Sequence, residues 1–124
     1  MIKGIGIDLI QTSRLARALE RHGDRFERRV FTEGELEQCR GRRDRTLALA
    51  ARFAAKEACL KALGTGWAEG LSFRQIEVVR SAGGKPELRL HGAARERARA
   101  AGVRSILVSL THQDEAAAAL VVLE

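Results

Sequence analysis

The chain has 124 residues, 45% hydrophobic and 31% charged, which marks a globular chain rather than a disordered one. No apolar run approaches the ~18 residues of a membrane span, and the lone Lys3 followed by Asp8 gives the N-terminus no secretory pattern. The net charge of +6, with Arg outnumbering Lys 18 to 4, favours polyanionic partners: nucleic acid, phosphorylated cofactors or acidic proteins.

Residues 2–10 alternate as a strand. Ile5, Ile7 and Leu9 fall on one face, and Gly4, Gly6, Asp8 and Ile10 on the other. A short helix is expected over Ser13–His22, capped by Thr12 or Ser13 and stopped by Gly23. Arg14, Arg17 and Arg21 recur on it at helical spacing. Thr32-Glu33-Gly34-Glu35 reads as a capping box, so a second helix starts at Glu33 and ends before Gly41. Asp44 then caps the longest helix, Arg45–Leu63, which Gly64 closes.

The period changes after Gly66. Phe73–Val79 and Glu87–His91 alternate on either side of the turn residues Ser81–Pro86, a hairpin pattern. Ala93–Ala101 reads as an Arg-rich helix, and Ser105–Thr111 with Ala116–Leu123 as a closing strand pair. The order β-α-α-α-β-β-α-β-β predicts one α+β domain over residues 1–124, with helices on one face of a mostly antiparallel sheet. The other sheet face needs cover, which predicts self-association. Cys39 and Cys59 lack metal-site spacing and read as reduced, buried and cytosolic.

In the longest helix Phe53, Glu57 and Lys61 are spaced by four and share a stripe, drifting only ~40° per step. Glu57 before Lys61 is the favourable order for a surface ion pair. Small and apolar neighbours, however, make a carboxylate there costly unless it is paired or metal-bound. Asp8 lies on the glycine face of its strand, where Gly4 and Gly6 leave room for a ligand to approach the backbone. Two carboxylates from separate elements suit Mg²⁺, which takes one or two acids plus water and phosphate oxygens. His112 ends a strand. Gly83-Gly84-Lys85-Pro86 suits either a phosphate cradle or a plain hairpin turn. Basicity also admits an RNA-binding module, although aromatic residues are only 4% and no RNA-binding motif occurs.

Several segments together resemble one family. They are GIGIDLI with Arg14 beyond it, the FT-x-x-E of residues 31–35, ARFAAKEACLKALGTG at 51–66, GGKPELRLHG at 83–92 and the closing VSLTH…AAAALVVLE. Over nearly the whole chain, in order and length, they are similar to the holo-[acyl-carrier-protein] synthases, the small 4′-phosphopantetheinyl transferases. That resemblance implies transfer of 4′-phosphopantetheine from coenzyme A to a serine of apo acyl carrier protein, in fatty acid biosynthesis in the cytoplasm.

The resemblance also assigns residues. It implies Asp8 and Glu57 as Mg²⁺ ligands and Lys61 as the lysine reaching the coenzyme A phosphates. His112 and the turn Gly83, Gly84, Lys85 and Pro86 would lie against the nucleotide, with Arg52 and Lys56 as further phosphate contacts. Arg14, Arg17 and Arg21 would meet the acidic carrier protein, in a homotrimer whose active sites lie between subunits. Thr111, Gln113 and Trp67 depart from the family's usual residues, all on the nucleotide side of the site.

Overall fold

A computed structural model describes every residue except Glu69. Five strands and four helices follow in the expected order: β1 (Gly4–Gln11), α1 (Thr12–Val30), α2 (Glu33–Cys39), α3 (Arg45–Leu63), β2 (Ile76–Arg80), β3 (Pro86–Leu90), α4 (Gly92–Ala100), β4 (Ile106–Gln113) and β5 (Ala116–Leu123). A single 3₁₀ turn, Phe73–Gln75, leads into β2. All pairing is antiparallel. β1, β5 and β4 form one sheet in that order, with β5 central, and β2 and β3 form a separate hairpin.

The core lies between the three-stranded sheet and α3. Ala48, Ala50, Ala51, Ala54, Ala55, Ala58 and Ala62 give α3 a surface of small side chains, and Ala117 and Ala119 of β5 meet it with equally small ones. Small against small lets the helix backbone settle close to the sheet. Leu49, Leu60, Val121, Leu123 and Phe31 fill the remaining volume. Both cysteines are free and buried, and burial pushes the Cys59 thiol up to about 12, leaving it inert.

Three local expectations need correcting. The first helix does not stop at Gly23. Gly23 leaves helical geometry (φ 47°), yet helix resumes to Val30, because Phe26 and Val30 supply apolar contacts beyond it. Its cap is Gln11, without a side-chain bond, rather than Thr12 or Ser13. Asp44 likewise makes no capping bond, since Arg42 holds both its carboxylate oxygens at 2.8 and 2.9 Å. The Thr32–Glu35 capping box and the left-handed Gly64 that ends α3 form as the sequence predicts.

Candidate active site

The glycine face of β1 is filled by protein. A β-carbon on Gly4 would strike the carbonyl of Ala62, and one on Gly6 the carbonyl of Ala58. The space expected for a ligand beside these glycines is therefore occupied by α3. The close approach brings the next residue on that face, Asp8, against the stripe of α3 that carries Glu57. Both carboxylates line a cavity of about 370 Å³, with Arg14 beside them and Leu15, Phe26 and Phe53 as its apolar wall. Lys61, one turn beyond Glu57, donates to Asp8 Oδ1 at 3.1 Å and to the Ile7 carbonyl at 3.0 Å.

Burial pushes the Glu57 carboxyl above its ordinary range, and the negative charge of Asp8 pushes it further. The charge of Lys61 and the indole N–H of Trp67 pull the other way. A carboxylate whose ionisation is opposed by a second carboxylate beside it favours a cation between the two. Among the described residues no third His, Cys, Asp or Glu joins them. A donor set of two carboxylates fits Mg²⁺, which keeps its other positions for water and phosphate oxygens.

Two other cations of α3, Lys56 and Arg52, face elsewhere. Lys56, expected at a phosphate, is wholly buried. Its ammonium donates to Glu35 Oε1 at 2.7 Å and to the carbonyls of Phe73 and Ile76 at 3.1 and 2.5 Å, so all three protons are engaged inside the protein. Glu35 in turn accepts from the backbone N–H of Thr32 and Val78. The phosphate role for Lys56 is thus replaced by an internal one, tying α2 and β2 to α3.

Arg52 is also buried but has no carboxylate partner among the described residues. It donates to the Ala48 carbonyl and to Gln38, and its Nε has no partner among the described residues. Five residues separate it from Glu57, about 140° around the helix. Burial lowers its pKa, the charges of Arg80 and Arg42 lower it further, and the charge of Glu35 opposes them. Arg80 in turn holds the Gly84 carbonyl at 2.7 Å.

Residues Gly83 to Pro86 form a hairpin turn. The Gly84 N–H donates to Ser81, so that amide serves the turn rather than a phosphate cradle, and Lys85 is exposed. His112 is exposed at the end of β4, in the neighbourhood of Asp44. The expected site residues therefore fall into two groups. Asp8 and Glu57 line one cavity, with Lys61 bonded to Asp8 beside it, while Arg52, the 83–86 turn and His112 are not among the residues that line it.

Arg14, Arg17 and Arg21 are exposed on α1, and Arg14 opens onto the acid cavity. Sequence patterning does not single out Phe26, because Gly23 reads as the end of the helix. Nor does it single out Arg42 and Arg80, which carry no motif of their own. Helical spacing of Leu19, Phe26 and Val30 was the available signal for the longer α1.

Residues 4–121 match the model of the 4′-phosphopantetheinyl transferase superfamily. The holo-[acyl-carrier-protein] synthase of Halorhodospira halophila is 50% identical over 123 residues, covering 99% of this chain and 98% of that protein. That of Maridesulfovibrio salexigens is 46% identical, over 100% and 99%. Among solved structures, the synthase of Neisseria meningitidis superposes with a TM-score of 0.91 at 35% identity, covering 100% and 99% of the two chains. The Helicobacter pylori synthase, in complex with coenzyme A, gives 0.85 at 30% identity, over 97% and 99%.

Proposed function

Since the chain belongs to the 4′-phosphopantetheinyl transferase superfamily, we propose that the Asp8–Glu57 cavity is where its transfer reaction takes place. The protein is an enzyme that moves 4′-phosphopantetheine from coenzyme A to a serine of apo acyl carrier protein. The serine oxygen bonds to the phosphorus that carries the pantetheine arm as the phosphoanhydride P–O bond breaks; adenosine 3′,5′-bisphosphate leaves with the electron pair, and the serine proton passes to a cavity carboxylate or to water. Such transfers depend on positioning and on charge neutralisation more than on covalent help from the protein.

The observation that supports this site best is the pairing of Asp8 and Glu57 in one cavity with Lys61 beside them. Asp8 and Glu57 would hold Mg²⁺, which when bound neutralises phosphate oxygens. Lys61 releases Asp8 and turns its ammonium to the leaving phosphate. Arg14 at the cavity edge, with Arg17 and Arg21 along α1, receives the acidic carrier protein and steers it in, faster at low salt.

Arg52, the 83–86 turn and His112 take the nucleotide end of coenzyme A. Within one copy of the chain none of them lines the acid cavity, so the basic side of a neighbouring copy completes the site. The exposed apolar face Ile5, Ile7, Leu9, Leu107 and Leu120 supports such packing, in a homotrimer. We place the reaction in fatty acid biosynthesis in the cytoplasm, where two unpaired buried cysteines are at home.

The test is an intact-mass measurement on apo acyl carrier protein incubated with the enzyme, coenzyme A and Mg²⁺. The carrier gains the phosphopantetheine mass, and chelation of divalent ions stops the gain. Transfer undiminished by chelation would remove the metal from the mechanism.

A further inference from the structure

Four arginines that the reaction above does not use surround one groove. Arg89 belongs to β3, Arg95 and Arg99 stand one turn apart on α4, and Arg104 leads into β4. All four are exposed, and with His91 they line a cavity of about 560 Å³, larger than the acid cavity. Its wall is apolar, built from Leu88 and Leu90 of β3, Val103, and Ile106 at the start of β4.

No residue lining the groove is acidic. The nearest carboxylates are already engaged: Glu77 by His91 Nε2 at 3.0 Å and the Thr32 hydroxyl at 2.7 Å, and Glu124 by the Ser105 hydroxyl at 3.1 Å. Among the described residues Arg89, Arg95 and Arg104 have no ion-pair partner, and Arg99 reaches only Glu96, at 3.7 Å, in an exposed pair. Four like charges around one space repel each other until an anion enters. A cleft with one sign of charge and low-dielectric walls concentrates the opposite ion, and the guanidinium fork matches phosphate oxygens two at a time. The volume lies within the roughly 300–1,000 Å³ of small-molecule sites. No aromatic ring lines the groove to stack successive bases, which favours a small ligand over single-stranded nucleic acid.

We propose that the groove between β3, α4 and the start of β4 binds a small organic molecule carrying two or more phosphate groups, Arg89, Arg95, Arg99 and Arg104 taking the phosphates and the apolar wall the organic body. The site is separate from the one assigned to coenzyme A. Ile106 stands six residues before His112 on the same strand, about 20 Å away. It also faces the opposite side of β4 from Leu107, which belongs to the apolar face through which copies pack.

The experiment titrates the whole protein, labelled with nitrogen-15, with ATP in EDTA, and in separate arms with sodium tripolyphosphate and a short RNA oligomer. The amides of Arg89, Arg95, Arg99 and Arg104 shift saturably with ATP, more weakly as salt rises. R95Q/R99Q binds ATP there roughly tenfold or more weakly, while its melting temperature and its transfer rate at saturating coenzyme A stay near the wild type. R104Q, outside the helix, weakens ATP binding in the same direction. Shifts confined to the Asp8–Glu57 cavity or to His112 overturn the proposal, as does an unchanged ATP affinity in R95Q/R99Q and R104Q. Loss of transfer in R95Q/R99Q overturns the separateness of the site. Tripolyphosphate binding as tightly as ATP overturns the organic half of the assignment. RNA that displaces ATP from these amides at physiological salt overturns the small-molecule reading in favour of nucleic acid.

Discussion

A side chain on Gly6 would collide with the carbonyl of Ala58, the residue that follows Glu57 in α3. The contact is backbone against backbone, with no flexible group to move aside. It fixes how near β1 lies to α3 and so sets the separation of Asp8 and Glu57. Gly6→Ala forces the two elements apart. The expected loss is about 1–3 kcal/mol of stability, as for other overpacked sites, with transfer falling further than stability does. Urea unfolding and the intact-mass assay measure the two effects. A stable Gly6→Ala enzyme with full turnover would show that the strand–helix spacing is unimportant to the acid pair.

The buried Lys56–Glu35 pair gives a second prediction. Each partner satisfies the other, and both are fully enclosed. Lys56→Met leaves Glu35 as an uncompensated buried charge, an expected loss of about 3–5 kcal/mol. Removing the second charge as well, with Glu35→Met, recovers part of that loss, because the penalty belongs to the orphaned partner. Thermal or urea unfolding of the two single variants and the double variant checks this. Additive losses would mean that the two side chains act independently.

The contrast between Lys56 and Lys61 shows how much of the site the sequence carried. Spacing by four placed Phe53, Glu57 and Lys61 on one stripe, and the structure keeps them there. Local order was equally legible where one residue decides it, as at the Thr32–Glu35 capping box. Lys56 sits in the same motif but 100° around the helix from Glu57. Its surroundings depend on α2, the 3₁₀ turn and β2, whose contacting residues are 17 to 21 residues away in sequence. No local pattern states that a lysine will find a buried glutamate. The same limit applies to Gly4 and Gly6, whose absent side chains admit a ligand and a helix equally well.

Glu57 ties pH to stability. Burial and Asp8 raise its pKa in the folded protein above the unfolded value of about 4.3. The folded state then binds its proton more tightly than the unfolded chain does. That contribution to stability is complete below the unfolded value and is lost as pH rises through the folded one. At pH 7 the ionised Glu57 therefore weakens the fold. Glu57→Gln should melt at or above the wild-type temperature at pH 7, with the gap closing toward pH 4. Its transfer activity falls by roughly 10²-fold or more, the scale of losing several kcal/mol of charge stabilisation. A variant that melts lower at neutral pH, or that retains transfer, contradicts the assignment.

Ile7 separates folding from assembly. It lies between Ile5 and Leu9 on the outer face of β1, 65% exposed and opposite Leu120 of β5. Its neighbours on the other face are Gly6 and Asp8, so a change at Ile7 does not enter the α3 contact. In an isolated chain an aspartate there faces water at little cost. In an assembly packed through this face, the same carboxylate is desolvated without a partner, a penalty of several kcal/mol per charge. Ile7→Asp is therefore expected to leave the secondary structure intact while reducing the mass in solution to that of one chain. Transfer falls with it, since the acid cavity is left without a neighbour's Arg52 and His112. Light scattering combined with the intact-mass assay reads both. A variant that is monomeric and fully active would place the whole site within one chain.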